Sequence, residues 1–211
     1  TGSLVKGDLV YKGDREKWKK FVYAILARNA HHLSNKASYD PDAVISFVDK
    51  AMSSNDDNFN VPYLGSTITP DGGTSNFFGP SRGNLNVYRQ SNFAINLLNG
   101  TVFSGVVDPR LEQMFQRSSD TNFRGLTNGA GNTFGTGAQA IPTLYGKYIY
   151  RDNAPFPIFT FAEMQFIKAE AAFIKGDLAT ALTAYKNGIQ AHLDYVGSLL
   201  TVGTTATYNT N

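Results

Sequence analysis

The sequence contains no cysteine, which excludes disulfides, thiolate metal sites and thiol nucleophiles. Histidine is scarce as well, and His31, His32 and His192 show no ligand spacing of the HExxH kind. No apolar run approaches the roughly 20 residues that a membrane-spanning helix needs. No initiator methionine followed by a signal-peptide core opens the chain, so it reads as a piece of something longer. Nineteen basic residues stand against 17 acidic ones, a net charge of +2 with no basic cluster, which disfavours a nucleic-acid partner. No catalytic constellation, cofactor motif or metal-ligand set appears, so the chain is not read as an enzyme. What it has in quantity is aromatic residues (15 Phe, 11 Tyr, one Trp) and 20 glycines, and their placement matters more than their number.

Helical spacing dominates the two ends. In residues 14–34 Asp14 is an N-cap and Glu16 sits in the first turn, while Trp18, Phe21, Val22, Ile25, Asn29 and Leu33 recur as a core-facing stripe. Asp40-Pro41 starts a second helix with Val44, Ile45, Phe47, Val48, Ala51 and Met52 inward, completing a hairpin. A third helix is predicted over about 84–98 through Leu85, Tyr88, Ile95 and Leu98. A short fourth follows Asp108-Pro109 with Leu111, Met114 and Phe115 facing in. Near the end, Thr160 and Glu163 stand in the capping-box relation. The helix they open, 161–175, is predicted to bury Met164, Ile167, Ala171 and Ile174. It turns at Gly176-Asp177 into a last helix carrying Leu178, Ala181, Leu182, Tyr185 and Ile189 on one face. Ala169, Gly176, Asp177, Leu178, Ala181, Tyr185 and Gly188 fall at the spacing of one tetratricopeptide unit, although Leu193 stands where that repeat closes with proline. No second copy follows, so this hairpin is expected to pack on other helices.

Between the helices lie two long loops, about 53–83 and 118–157, rich in Asn, Gly, Ser and Thr. Only LYGKYIY, at 144–150, alternates weakly in the manner of a strand. The expected fold is therefore all-α: helical hairpins, including the tetratricopeptide-like pair, with long irregular loops and little or no β-structure. Three clusters invite sharper readings. Glu163 and Glu170 resemble a glycosidase pair, whose carboxyls stand about 5–9.5 Å apart across a sugar. Seven helical residues set their Cα atoms about 10.5 Å apart on one face, leaving no cleft; Glu163 reads as a cap, and Glu170 as a carboxylate that needs a partner if buried, with the Arg28 helix as a source of one. His31 and His32, adjacent on a helix, point about 100° apart and suit the helix C-terminal dipole better than a metal. NDDN at 55–58 lacks the glycine and distal glutamate of a calcium loop and reads as a solvated turn.

GDLVYKGDREKWKKFVYAILARNAHHLS at 7–34, DPRL at 108–111 and PFPIFTFAEMQFIKAEAAFIKGDLATALTAYKNGI at 155–189 resemble, in order, the signatures of the SusD/RagB-like nutrient-binding outer membrane lipoproteins of Bacteroidota. The matches span residues 7–189. The resemblance implies a single SusD-like α-helical domain over 1–211, a fragment of a longer protein whose N-terminal lipid anchor lies outside it. It further implies a place at the outer membrane facing the cell exterior, and non-catalytic capture of glycans or other nutrients for a TonB-dependent, SusC-like transporter. A helical-repeat scaffold that binds a peptide or protein partner is the alternative.

For a glycan binder, flat sugar faces stack on aromatic rings while Arg, Asn and Asp take the hydroxyls. Phe77, Phe78, Arg82, Asn84 and Tyr88 cluster where the first loop ends, and Tyr145 and Tyr148 near the end of the second. These seven are the candidate ligand-binding residues; the competing reading has the rings tucking loops onto the core. Glycan binding predicts exposed aromatics on one loop face, and scaffolding an open helix surface.

Overall fold

Helix α1 (Gly2–Gly7) gives way to a turn gathered by Asp8. The carboxylate of Asp8 accepts the N–H groups of Val10, Tyr11 and Gly13 and the indole N–H of Trp18. Desolvation opposes that charge, but the four donors outweigh it and hold its pKa at about 2. Asp14 then caps α2 (Arg15–His31) through the N–H groups of Glu16 and Lys17, and Asp40 caps α3 (Pro41–Lys50) through that of Ala43. The computed structural model describes residues 2–65, 74–132 and 135–199; within the two predicted loops, 66–73 and 133–134 lie outside the described residues.

The described chain falls into two compact units, one of residues through 62 with 156–195, the other of 63–155 with 196–199. In the first unit α2, α3 and α6 (Phe161–Lys175) pack on one another around Ala24, Ala27, Val44, Val48, Met52, Met164 and Ala171. A two-stranded antiparallel sheet, β1 (Phe59–Val61) with β2 (Phe156–Phe159), pairs Phe59 with Phe159 and Val61 with Phe156. Rings of Tyr11, Trp18, Phe21, Phe59 and Phe159 meet edge-on or stacked, with centroids between 4.2 and 5.8 Å apart, which adds directional attraction to their burial. Helix α7 (Leu178–Ser198) follows Gly176, whose φ of 89° makes the left-handed cap that ends α6. Its Gly188 lies against Phe166, and a Cβ there would come within 3.0 Å of that ring.

The second unit has α4 (Asn92–Leu98) and the single turn α5 (Leu111–Met114), and is otherwise built of turns and isolated bridges. Seven α-helices and one two-stranded sheet among the described residues make the fold mostly helical, as expected.

Several sequence expectations need correction. In α2 the buried residues are Ala24 and Ala27, both wholly enclosed, while Trp18, Val22 and Leu33 are substantially exposed. Two helices press on α2 at once, and alanine admits closer approach than the larger residues of the predicted stripe. Ile174, expected inside, is also exposed, and so are Leu178, Leu182 and Tyr185 of the apolar face predicted for the last helix. The inward face of α7 is instead Ala181, Ala184, Gly188, Ala191, Leu193 and Tyr195. The helix predicted over 84–98 survives only as α4: the Gln90 carbonyl and Asn92 N–H are both taken by Leu126, so they cannot serve a helical ladder. LYGKYIY forms turns around Gly146 (φ 100°) and Tyr148 (φ 49°) rather than a strand. NDDN is no solvated turn. Asp57 is buried, with its carboxylate on Lys20 Nζ at 2.7 Å and on the N–H and hydroxyl of Ser53, and buried Asn58 accepts the Phe161 N–H at 2.7 Å.

The glutamates are structural in detail. Thr160 accepts the Glu163 N–H at 3.1 Å. The Glu163 carboxylate meets Arg28 in a two-pronged pair at 2.5 and 2.7 Å, with the guanidinium 3.4 Å from the centroid of the Phe159 ring. Glu170 lies 3.2 Å from His31 Nε2, and Tyr39 OH is 3.0 Å from Nδ1 of the same ring. Both glutamates thus lean on α2, through different residues.

Candidate ligand-binding strip

In the second unit two chain segments, 76–89 and 143–154, run side by side in opposite directions. Asn76 is wholly buried; its amide donates to the carbonyls of Ile149 at 2.6 Å and Ala154 at 3.1 Å, and its side-chain oxygen accepts the Phe78 N–H at 3.0 Å. Five residues on, Ser81 gives its N–H and its hydroxyl to the two carboxylate oxygens of Asp152, at 2.9 and 2.8 Å. The Leu85 N–H then donates to Tyr145 OH at 2.8 Å, and Arg89 bridges to Thr143. From Asn76 with Ala154 through Ser81 with Asp152 and Leu85 with Tyr145 to Arg89 with Thr143 the pairing runs antiparallel, held largely by side-chain bonds, with one backbone bond from Asn76 N–H to the Asp152 carbonyl.

Gly79 is pressed hardest. A Cβ there would stand 2.4 Å from Asp152 Oδ1 and 2.8 Å from its Cα, closer than any side chain tolerates, so glycine is what lets the segments meet. Turns at Gly79–Arg82, Pro80–Gly83, Gly83–Asn86 and Leu85–Tyr88 follow without a break.

All seven candidate residues lie on this strip. Phe77 and Tyr88 present half-exposed rings, 51% and 56% accessible. Phe78 is half-buried, edge-on to Phe77 at 5.2 Å between centroids and to Tyr150 at 6.5 Å. Asn84 donates to the Phe77 carbonyl at 2.9 Å, tying the two ends of the first segment's turn. Tyr145 holds Leu85 in place, which is a supporting role. Tyr148 is mostly enclosed and occupies the left-handed region, sparsely populated for a side chain of its size. Burial, with the neighbouring Tyr150 adding to it, raises its hydroxyl above the ordinary phenol value, while Arg110 opposes the shift.

Phe77, Phe78, Arg82, Asn84 and Tyr88 therefore lie along one run of consecutive turns, with Tyr145 and Tyr148 on the segment paired to it. The residues that fix this geometry, Asn76, Gly79, Ser81 and Asp152, escape sequence reasoning. Each is a turn-former in a polar loop, and only the close approach at Gly79 distinguishes it. No group of three or more His, Cys, Asp or Glu side chains suited to a metal ion occurs among the described residues.

An apolar concavity lies in the first unit. It is an open groove of about 480 Å³ on the α6/α7 hairpin, lined by Phe166, Phe173, Leu178, Leu182 and Tyr185 with Ala169 and Ala181 at its floor.

A family model described as starch-binding, associating with outer membrane, matches residues 1–210. The chain belongs to the SusD-like family. It is a family of binding proteins associated with the outer membrane. Among solved structures the chain is similar to a chitin-binding protein, with 23% identity and a TM-score of 0.66 over 90% of this chain and 42% of the other. It is also similar to a SusD homologue from Bacteroides fragilis NCTC 9343 (21% identity, TM-score 0.67, 93% and 44% covered). A third is a SusD homologue from Bacteroides ovatus ATCC 8483 (17%, 0.68, 94% and 40%). At these identities the likeness is one of fold, and the SusD-like chain spans less than half the length of each. No curated protein matches it in sequence.

Proposed function

We propose that this chain is the glycan-binding part of a SusD-like protein, that it captures oligosaccharide without chemically altering it, and that its two units belong to one SusD-like domain. The observation that carries this reading is the strip: Phe77 and Tyr88 stand half-exposed on a turn that Asn76, Asn84, Asp152 and Tyr145 hold from several sides. Rings held in this way lose little freedom when a sugar stacks on them, so more of the contact energy appears as affinity. Arg82 and Asn84 supply donors beside the rings. Family membership and the likeness to a chitin-binding protein support a glycan ligand. In this reading the protein is anchored by an N-terminal lipid outside this sequence, faces the cell exterior, and passes its ligand to a TonB-dependent, SusC-like transporter.

Calorimetry against a panel of starch, chitin oligosaccharides and plant polysaccharides tests the reading, repeated with Phe77→Ala, Phe78→Ala and Tyr88→Ala. The expected loss is about tenfold in affinity, about 1.4 kcal/mol, for at least one of the two exposed rings. Unchanged binding in all three variants refutes the site. A second reading, a helical scaffold for a peptide, is favoured by the exposed apolar row of Phe173, Leu178, Leu182 and Tyr185 on the hairpin, a groove suited to an amphipathic helix. Leu182→Asp separates the two, since it abolishes helix capture and leaves glycan binding intact.

A further inference from the structure

The charges on the strip narrow the class of glycan. Between 76 and 89, and again between 143 and 151, the sequence places Arg82, Arg89, Lys147 and Arg151 and not one Asp or Glu. The first carboxylate reached is Asp152, whose oxygens accept from Ser81; it keeps its charge, so the strip carries four cations against one anion. Elsewhere in the same unit the arginines are neutralised: Arg110 pairs with Asp108, Arg117 with Glu112 and Arg124 with Asp120.

The strip's four cations differ. None has a carboxylate within ion-pair reach among the described residues. Arg89 gives Nη1 to the carbonyls of Asn86 and Tyr88, at 2.7 and 2.9 Å. Arg151 donates to the carbonyls of Tyr148 and Leu199, at 3.2 and 3.0 Å, and Lys147 to that of Glu112. The Arg82 guanidinium meets no acceptor among the described residues. Carbonyl contacts orient these side chains and leave their charge in place.

Resting on the glycan reading above, we infer that the strip takes sugars bearing an oxyanion, a uronate carboxylate or a sulfate ester, in preference to neutral ones. A guanidinium offers two parallel N–H donors that match either group. Arg82 and Arg89 stand in the same run of turns as the exposed Phe77 and Tyr88 rings, so ring contacts and anion contacts belong to one short segment. The aromatics supply the sugar-face contact and the arginines the selectivity by charge.

The test uses the protein against pairs of polysaccharides that differ only in charge: polygalacturonate against its fully methyl-esterified form, and a sulfated galactan against the same galactan desulfated. At low ionic strength, about 0.01 M, the charged member of at least one pair is expected to bind about tenfold tighter. The advantage should shrink as added salt shortens the Debye length from about 30 Å towards 3 Å. Which pair shows it identifies carboxylate or sulfate as the group recognised. Arg82→Gln/Arg89→Gln is expected to bring the charged-to-neutral ratio close to one with the melting temperature unchanged, and Arg82→Lys/Arg89→Lys to restore part of it.

Equal or weaker binding of the charged members overturns the inference and leaves the glycan reading standing. A preference that survives Arg82→Gln/Arg89→Gln overturns the site, and polyphosphate binding as tightly as polygalacturonate shows a general polyanion surface instead. Failure of every polysaccharide to bind overturns the glycan reading itself.

Discussion

Replacing Asn76 with alanine removes three hydrogen bonds from a fully enclosed position. The Phe78 N–H loses its acceptor, and the carbonyls of Ile149 and Ala154 each lose a donor. A buried polar group left without a partner costs about 1–3 kcal/mol, with carbonyls at the lower end because each has a second lone pair. One N–H and two carbonyls together give about 4 kcal/mol, a large share of the roughly 5–15 kcal/mol that holds a domain folded. The backbone bonds Asn76 N–H to Asp152 and Gly79 N–H to Asn76 remain, so the loss should fall on the turn that carries Phe77 and Phe78. Urea denaturation measures the total, and amide hydrogen exchange locates it, with the Phe78 amide accelerating most. Asn76→Asp is the stringent companion: it keeps the acceptor for Phe78 and turns a carboxylate towards two carbonyls, so at neutral pH it should cost at least as much as alanine. A loss under about 1 kcal/mol with the Phe78 amide still protected would refute the reasoning. It would mean that the two segments are held by something other than this side chain. On the proposed reading of the strip, the same variant should also weaken glycan binding as its rings lose their seat.

Other expectations follow from single contacts. A double-mutant cycle on Arg28→Ala and Glu163→Ala should give a coupling of about 1–2 kcal/mol in urea unfolding. That is more than an exposed pair contributes, because both side chains are about 30% accessible and the contact is two-pronged. Coupling near zero would remove the pair from the account of how α6 docks on α2. Gly125→Ala would place its Cβ 2.3 Å from Asn92 N and 2.4 Å from the Ser91 carbonyl carbon, both backbone, and should cost about 3 kcal/mol or more, in the range of severe overpacking. Gly129→Ala, at φ 80° in open space, should cost only about 1 kcal/mol; equal losses by thermal melting would contradict the close approach. For Asp57 burial opposes ionisation, but Lys20 and Ser53 outweigh it and hold the pKa below the ordinary carboxylate value, as the four donors do for Asp8 at about 2. Both folded values are depressed, so the stabilisation is complete above the unfolded pKa near 3.9. It is lost as pH falls from about 4 towards 2. Asp57→Asn should flatten that acid limb in a pH series of denaturation midpoints, and an unchanged slope would count against the assignment.

What the sequence made legible was local chemistry. Asp14, Asp40 and Thr160 each begin a helix because a side-chain oxygen reaches an N–H two or three residues on, and Gly176 ends one because glycine takes the left-handed turn without strain; all four relations fit within a few residues. The misreadings arose where distant residues compete for the same groups. Periodicity through Leu85, Tyr88 and Ile95 argues for a helix from 84, but Leu126 takes the Gln90 carbonyl and the Asn92 N–H, and no pattern in 84–98 announces it. Arg28 and Glu163 are 135 positions apart, and NDDN looks solvated until Lys20 and Ser53 are brought to it by folding. Size is a poor guide as well: the bulkiest apolar residues of α2 make its sequence stripe, whereas the tightest packing selects its alanines.

The strip follows the same logic: the residue types are legible in the sequence, and the geometry that gathers them is not. Aromatic and amide side chains at 77–88 and 145–148 suggest sugar recognition by their chemistry alone. Their adjacency depends on Asn76, Gly79, Ser81 and Asp152, residues whose types suit any polar loop. A surface loop that binds must hold its rings still, yet a regular strand would alternate them between two faces. Lacing two irregular segments through buried side chains resolves the conflict: successive turns keep Phe77, Arg82, Asn84 and Tyr88 together, and the bonds from Asn76 and Asp152 make the turn stiff. The left-handed Tyr148 fits this picture, since a bulky residue stays there only when its surroundings hold it. Tyr148→Gly therefore discriminates: if the enclosing contacts are what fix the segment, losing the ring should loosen residues 145–151 in hydrogen exchange even though glycine relieves the backbone strain. Tighter protection there would show that the strain, and not the packing, governs the strip.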